Sequence, residues 1–318
     1  METQDIVDAL SEDSEDTSDA REVGGERTED GFSPDIQETG EDADVQDAST
    51  PDGSPDEIAE SIDTDGDGVP DSLDEDDDGD GYLDVHEILE GTDPLDPESR
   101  IYIGNWPYNP NKDAIEGTAF VEECPGGVTC ICETSADCVS ENCMEFPVGN
   151  YCGPSLGHIF PHFIGVDQHG EMVDLYDFAF QGKLVLVEMS TGWCKPCQEL
   201  QKWFVFDDES VKSNPWWEPE FEAMRDIVNN DEIIWITVLY EDVDKGPAGP
   251  DVVESWAEEF PDEDIPVLAD AEKDLHLWIK PTGIPNVNVL GEDMALLTFD
   301  NRGLTDAFHY VLENVEAP

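Results

Sequence analysis

Basic residues are scarce in this sequence. Its 318 residues hold 13 Lys and Arg against 80 Asp and Glu, a formal net charge of -67. Nucleic acid and anionic membranes are thereby excluded as expected partners, because both are held by cationic faces. Acidic side chains this dense repel one another and oppose compaction unless cations screen or bind them, so calcium or high salt is expected around the protein. The chain also lacks any apolar run approaching the roughly 18 residues of a membrane span. Met1 is followed at once by acidic and polar residues, with neither the basic nor the apolar stretch of a secretory leader. Taken alone that reads as cytosolic. The eight cysteines argue instead for an oxidising compartment, where disulfides persist, and the expectation is an extracytoplasmic protein (periplasm, cell surface or secreted) whose leader is absent or clipped. Aromatics are nearly missing from residues 1–61, where Phe32 stands alone. Such a segment cannot bury enough apolar surface to offset chain entropy, and a disordered acidic stalk is expected there.

From residue 62 to 98 the acidity becomes patterned. Asp63, Asp65, Asp67, Asp71 and Asp74 occupy the first, third, fifth, ninth and twelfth places of one loop, with Gly68 sixth and the Val69 carbonyl seventh. The spacing recurs with Asp76, Asp78, Asp80, Asp84 and Glu87, with Gly81 sixth and Tyr82 seventh. Alternate side chains of such a loop converge on one point, and a hard cation takes about six to eight oxygens, so these residues are the expected ligands of structural Ca2+. His86 reads as a solvated bystander. Followed by Gly91-Thr92-Asp93-Pro94-Leu95-Asp96-Pro97 and lacking long flanking helices, the tandem resembles thrombospondin type 3 repeats of secreted bacterial proteins. That resemblance implies a calcium-rigidified spacer rather than a switch.

Residues 99–123, with Tyr102, Trp106 and Tyr108, give no clear period and read as a connector of uncertain order. Six cysteines then crowd into 124–153: Cys124, Cys130, Cys132, Cys138, Cys143 and Cys152. With little apolar core available, cross-links must hold this stretch, and three disulfides closed among themselves are expected. Their connectivity is open. A zinc cluster or a relay to the later cysteines are the alternatives.

The remaining pair, Cys194 and Cys197, lies in Trp193-Cys194-Lys195-Pro196-Cys197, directly after the apolar run from Lys183 to Met189. A buried strand running into a helix would put Cys194 at the helix entrance, where free backbone N–H groups favour its thiolate. Cys197, one turn on, would be the resolving thiol. Pro196 is tolerated in the first turn, where its N–H has no acceptor. A structural disulfide or half a zinc site would use the same spacing, but a zinc site needs a second pair, and beyond Cys197 there is no cysteine and only His276 and His309. Glu232 to Tyr240 reads as a second buried strand. Helices are expected over Pro219–Asn229, Asp251–Phe260, Asp274–Ile279 and Thr305–Glu313, and strands over Asn286–Leu290 and Ala295–Phe299 joined by a turn. Strands alternating with helices give an α/β sandwich, a central mixed sheet flanked by helices, over residues 158–318.

Three features carry a second resemblance: the entry segment Phe163 to Asp167 with Gly170 and Met172 to Leu175, the WCKPC site, and Gly283-Ile284-Pro285 before a late strand. Together they are similar to the thioredoxin-like fold, and within it to the extracytoplasmic TlpA/ResA-type reductases and redoxin domains. The resemblance implies a cis Pro285 packed against the dithiol, a buried Glu188 exchanging protons with Cys197, and Trp193 shielding the site. It also implies a lean toward reduction, since reducing members share Pro196. Lys195 is either an aid to the thiolate or a solvated side chain, and Trp216-Trp217 are lid or packing residues. The expected activity is thiol-disulfide exchange on a disulfide-bearing protein with a thiol electron donor and no organic cofactor. The alternative is a non-catalytic, calcium-dependent cell-surface module with a thioredoxin-like fold. A peroxidase is less favoured, because Ser190-Thr191-Gly192 stands where such sites carry Pro and Thr.

Overall fold

A computed structural model describes residues 62–316, and the stalk expected over 1–61 lies outside the described residues. The second acidic loop runs into a short helix, α1 (Asp84–Glu90), which carries its Asp84 and Glu87 and is stopped by Gly91 in the left-handed conformation that glycine adopts without strain. Residues 124–153 hold an antiparallel hairpin of β1 (Cys143–Phe146) and β2 (Gly149–Cys152). Three disulfides close within this stretch: Cys124–Cys130, Cys132–Cys143 and Cys138–Cys152, with Cα atoms 5.6, 6.0 and 5.4 Å apart. Cys143 and Cys152 face each other across the hairpin, yet each is bonded to a different preceding loop.

The main sheet has six strands: β3 (Ile164–Val166), β4 (Met172–Asp174), β5 (Val185–Ser190), β6 (Ile234–Leu239), β7 (Val267–Ala269) and β8 (Asn286–Leu290). Their order is β4-β3-β7-β6-β5-β8, with β5, β6 and β7 parallel and β3, β4 and β8 antiparallel to their neighbours. Five helices complete it: α2 (Lys195–Phe206), α3 (Glu222–Asn229), α4 (Pro250–Glu259), α5 (Asp274–Ile279) and α6 (Thr305–Asn314). This is a thioredoxin-like mixed α/β sandwich. Every residue of β5 and β6 is buried, which is why both read as near-continuous apolar runs. Side chains alternate across β5: Val185, Val187 and Met189 join a core with Phe160, Leu275 and Trp278, while Leu186 packs under Leu200, Phe204, Met224 and Phe308 of α2, α3 and α6. Trp216 and Trp217 pack against this second core, Trp217 edge-on to Trp203 with ring centroids 4.9 Å apart, and so are packing residues rather than a lid.

Two expectations are corrected. Residues 295–299 do not form a strand; isolated bridges tie Ala295 to Ile159 and Leu296 to Leu290. The reason is local, because the Val289 N–H is taken at 3.0 Å by the Thr298 hydroxyl in place of a ladder carbonyl. The connector, of uncertain order in the sequence, is ordered. Tyr102 and Trp106 are buried in the main core, and each donates to a buried carboxylate of the sandwich: Tyr102 to Asp177 at 2.6 Å and Trp106 Nε1 to Asp167 at 2.7 Å. Asp177 also accepts from the Asn109 N–H and the Lys112 ammonium. The Tyr82 hydroxyl donates to the Trp106 carbonyl at 2.6 Å, so the second acidic loop is tied to the same strap. Replacing Trp106 by Phe should cost about 2 kcal/mol, because the fully buried Asp167 loses a donor it cannot replace with water. Equilibrium urea unfolding reads this directly, and an unchanged midpoint would refute the anchoring role.

Candidate functional site

The strand β5 ends at Ser190 and the chain turns through Thr191 and Gly192 into α2. Gly192 is demanded by close approach: a Cβ there would lie 3.0 Å from the Val243 nitrogen and 3.1 Å from the Asp242 carbonyl carbon of the loop after β6. Cys194 is the N-cap of α2 and its Sγ accepts the Cys197 N–H at 3.2 Å. The two cysteines form a disulfide, Cα atoms 5.3 Å apart, and no free cysteine remains among the described residues. Cys194 is 2% exposed and Cys197 0%, so their difference lies in the cap geometry more than in access. Both pack with Ala248, Val253 and Trp256, with Ile284 alongside. The Ile284–Pro285 peptide is cis.

Trp193 is 41% exposed, and its indole N–H donates to Glu241 at 2.8 Å. Glu241 in turn pairs with Lys273 at 2.7 Å, and Lys245 sits over the Trp193 ring at 5.1 Å. The Lys195 ammonium meets Glu199 at 2.6 Å, with 82% of its side chain exposed. Burial opposes ionisation of Glu199, but Lys195 and Asn214 prevail and hold its carboxyl below the ordinary range. A hollow of about 350 Å3 opens beside Gly192 and Gln198, walled by Asp242, Asp244 and Asp251 with Trp256 at its side.

Glu188 is fully buried in β5 on the side facing α2, where Gln201, one turn beyond Cys197, donates to it. Burial pushes its carboxyl up to about 7, against hydrogen bonds from Thr237 and Gln201, with the Trp235 indole N–H behind them on the Thr237 hydroxyl. Gln201 and Thr237 escaped the sequence reading. Gln201 was findable, as a polar residue one helical turn beyond Cys197 on an otherwise apolar face. Glu241 carried no local signal, since its partner Trp193 is 48 residues away.

In the second acidic loop, carboxylate oxygens of Asp76, Asp78 and Asp80 lie within 4.8 Å of one another, and those of Asp63, Asp65 and Asp67 do so in the first. Asp78, Asp80 and Glu87 are buried, and Asp78 Oδ2, Asp80 Oδ2 and Glu87 Oε2 have no hydrogen-bond partner. Orphaned buried carboxylate oxygens are costly, and a hard cation satisfies them, so this donor set fits calcium. The first loop is exposed. Asp71, Asp74 and Asp84 also accept within the turns: Asp71 from Thr64 on both oxygens, Asp74 from Glu75 and Asp76, and Asp84 from Asp77, the last two through Oδ1 alone. Val69 and Tyr82 each donate a backbone N–H to the aspartate two residues earlier. His86 lies against the Tyr108 ring with centroids 5.1 Å apart.

No family model matches the sequence, and no curated protein matches it. Among solved structures it is similar to the thioredoxin domain of a thiol-disulfide oxidoreductase from Bacteroides vulgatus, at 19% identity and TM-score 0.36, covering 51% of this chain and 99% of that one. A thiol:disulfide interchange protein from Bacteroides sp. is 16% identical, TM-score 0.35, over 51% of this chain and 90% of its own. The exposed lipoprotein thioredoxin of Streptococcus pneumoniae is 18% identical, TM-score 0.32, over 48% and 98%. At such identities and scores the likeness assigns no activity. Among the described residues no helix is long and apolar enough to cross a membrane.

Proposed function

We propose that this chain is an extracytoplasmic thiol-disulfide oxidoreductase that reduces protein disulfides through Cys194 and Cys197. The observation that carries the reading is Cys194 Sγ acting as the acceptor at the entrance of α2, where the helix amides favour a thiolate. In the reduced protein that thiolate attacks one sulfur of a substrate disulfide, forming a mixed disulfide and releasing the other sulfur as a thiolate. Cys197 passes its proton to Glu188 and attacks Cys194 Sγ, releasing the substrate's second thiolate. The substrate gains two electrons and the protein closes its disulfide; a thiol donor must reopen it. Trp193 precedes Cys194 and is held by Glu241, and Ile284 of the cis Ile284–Pro285 pair packs against the cysteine cluster; a substrate chain would lie along these residues. The test is dithiol-dependent reduction of insulin by the full chain. A silent protein would favour the non-catalytic surface module.

Residues 63–87 are read here as a calcium-stiffened spacer, with Asp76, Asp78, Asp80 and Glu87 the best-supported ligands. Calcium would neutralise the crowded carboxylates and stabilise this segment by about 2.7 kcal/mol at a hundred times its Kd. Chelation should therefore open residues 63–97 to proteolysis while the sandwich stays folded, and Glu87→Gln should reproduce the effect. Calorimetry without calcium uptake would sink the assignment.

A further inference from the structure

Glu188 is approached by donors from one side only. Gln201 Nε2 donates to Oε2 at 2.9 Å, and the Thr237 hydroxyl stands 3.2 Å from the same oxygen. That hydroxyl already accepts from Gln201 Nε2 at 3.1 Å and from Trp235 Nε1 at 3.3 Å. With its acceptor capacity used twice, its own proton is directed at Glu188 Oε2. Oε1 is buried and has no partner. The two carboxyl oxygens are therefore unlike: one is saturated as an acceptor, the other is free.

We propose that Gln201 and Thr237 are positioning residues that bind Glu188 Oε2, so that the proton exchanged during disulfide reduction is taken up and released at Oε1. The inference rests on the proposed thiol-disulfide exchange. Its geometry follows from the helix: Gln201 stands four residues beyond Cys197, on the same face of α2, and holds the carboxyl against that face. During resolution the Cys197 S–H bond breaks, its proton forms the Oε1–H bond, and the thiolate's electron pair attacks Cys194 Sγ. The leaving substrate thiolate or solvent recovers the proton afterwards. Thr237 and Val287 sit opposite Glu188 on β6 and β8, Gln201 reaches it from α2, and no charged side chain contributes to its environment. The donors on Oε2 alone stand against desolvation of the carboxylate.

Removing one donor to a carboxylate should make it harder to ionise, by about one pH unit. Reduction should rise with pH as Glu188 becomes a carboxylate able to accept the Cys197 proton. In Thr237→Val and in Gln201→Leu, that rising limb should move up by about one unit, and Thr237→Ser should restore it. The carboxyl stretch of Glu188, titrated by infrared difference spectroscopy on the oxidised full chain and identified with Glu188→Gln, should move by the same amount. This second readout needs no turnover and does not respond to a loss of packing alone. If Glu188→Gln moves the pH profile but Thr237→Val and Gln201→Leu leave both profile and infrared titration in place, the positioning role is wrong and the exchange reading stands. If Glu188→Gln also leaves the profile in place, Glu188 is not the proton acceptor and the inference falls with it. A wild type that reduces no disulfide would overturn the exchange reading itself.

Discussion

Cys194→Ser should abolish disulfide reduction, a loss of at least about a thousandfold, because the remaining thiol, Cys197, is fully buried inside the first turn and lacks the N-cap position that favours a thiolate. Cys197→Ser should behave differently. Attack still occurs there but resolution cannot, so the variant should accumulate a covalent complex with substrate that a thiol reductant releases. The contrast follows from the N-cap: Cys194 Sγ accepts a backbone N–H at the helix entrance, whereas Cys197 lies inside the first turn and is fully buried. For the same reason an alkylating reagent at mildly acidic pH should label reduced Cys194 first. With exposures of 2% and 0%, both sites are close to closed, and labelling of either should be slow in absolute rate. Capture that persists in Cys194→Ser would overturn the assigned roles.

Glu188→Gln should make the oxidised protein more stable above neutral pH, by about 3 kcal/mol. Burial raises the carboxyl of Glu188 from 4.5 to about 7. The unfolded chain releases this proton near 4.5 and the folded chain keeps it until about 7, so between those values the unfolded state binds fewer protons and stability falls as pH rises. Above 7 the loss is complete; below 4.5 both forms carry the proton and there is none. The difference between variant and wild type should therefore open across that window and stay level on either side. A difference independent of pH would show that the carboxyl does not titrate as its burial demands.

The parts of the fold that were legible are those whose signal is local. The runs of β5 and β6 are buried on both faces, so composition alone marks them, and the helices at 250–259, 274–279 and 305–314 follow from apolar spacing. The strap was illegible because its determinants are pairs far apart in the chain: Trp106 with Asp167 and Tyr102 with Asp177, 61 and 75 residues away. No window of neighbouring residues contains both members. Disulfide connectivity was hidden for a related reason, since spacing does not say which loop folds back on which, and the hairpin places Cys143 opposite Cys152 without joining them. At the dithiol, the cysteines, Glu188 and Pro285 were visible as motif residues, the proline's isomer only through the resemblance, whereas Gln201, Thr237 and Glu241 emerge only once β5, β6 and α2 are side by side.

The alternation of side chains along β5 bears on how the chain finds its register. A strand that is apolar throughout can slide against β6 and β8 by one residue at little cost in hydrophobic burial, because either face accepts Val, Leu or Met. Glu188 removes that degeneracy. A slip of one position would turn its carboxyl into the layer of Phe160 and Trp278, away from Gln201 and Thr237, and would expose the polar pocket on the other side to Met189 or Val187. The mispaired sheet would then carry a carboxyl with no donor, and Gln201 and Thr237 would lose the carboxylate they bind. The residue that makes the native state less stable at high pH thus also separates it in energy from its nearest misfolded neighbour.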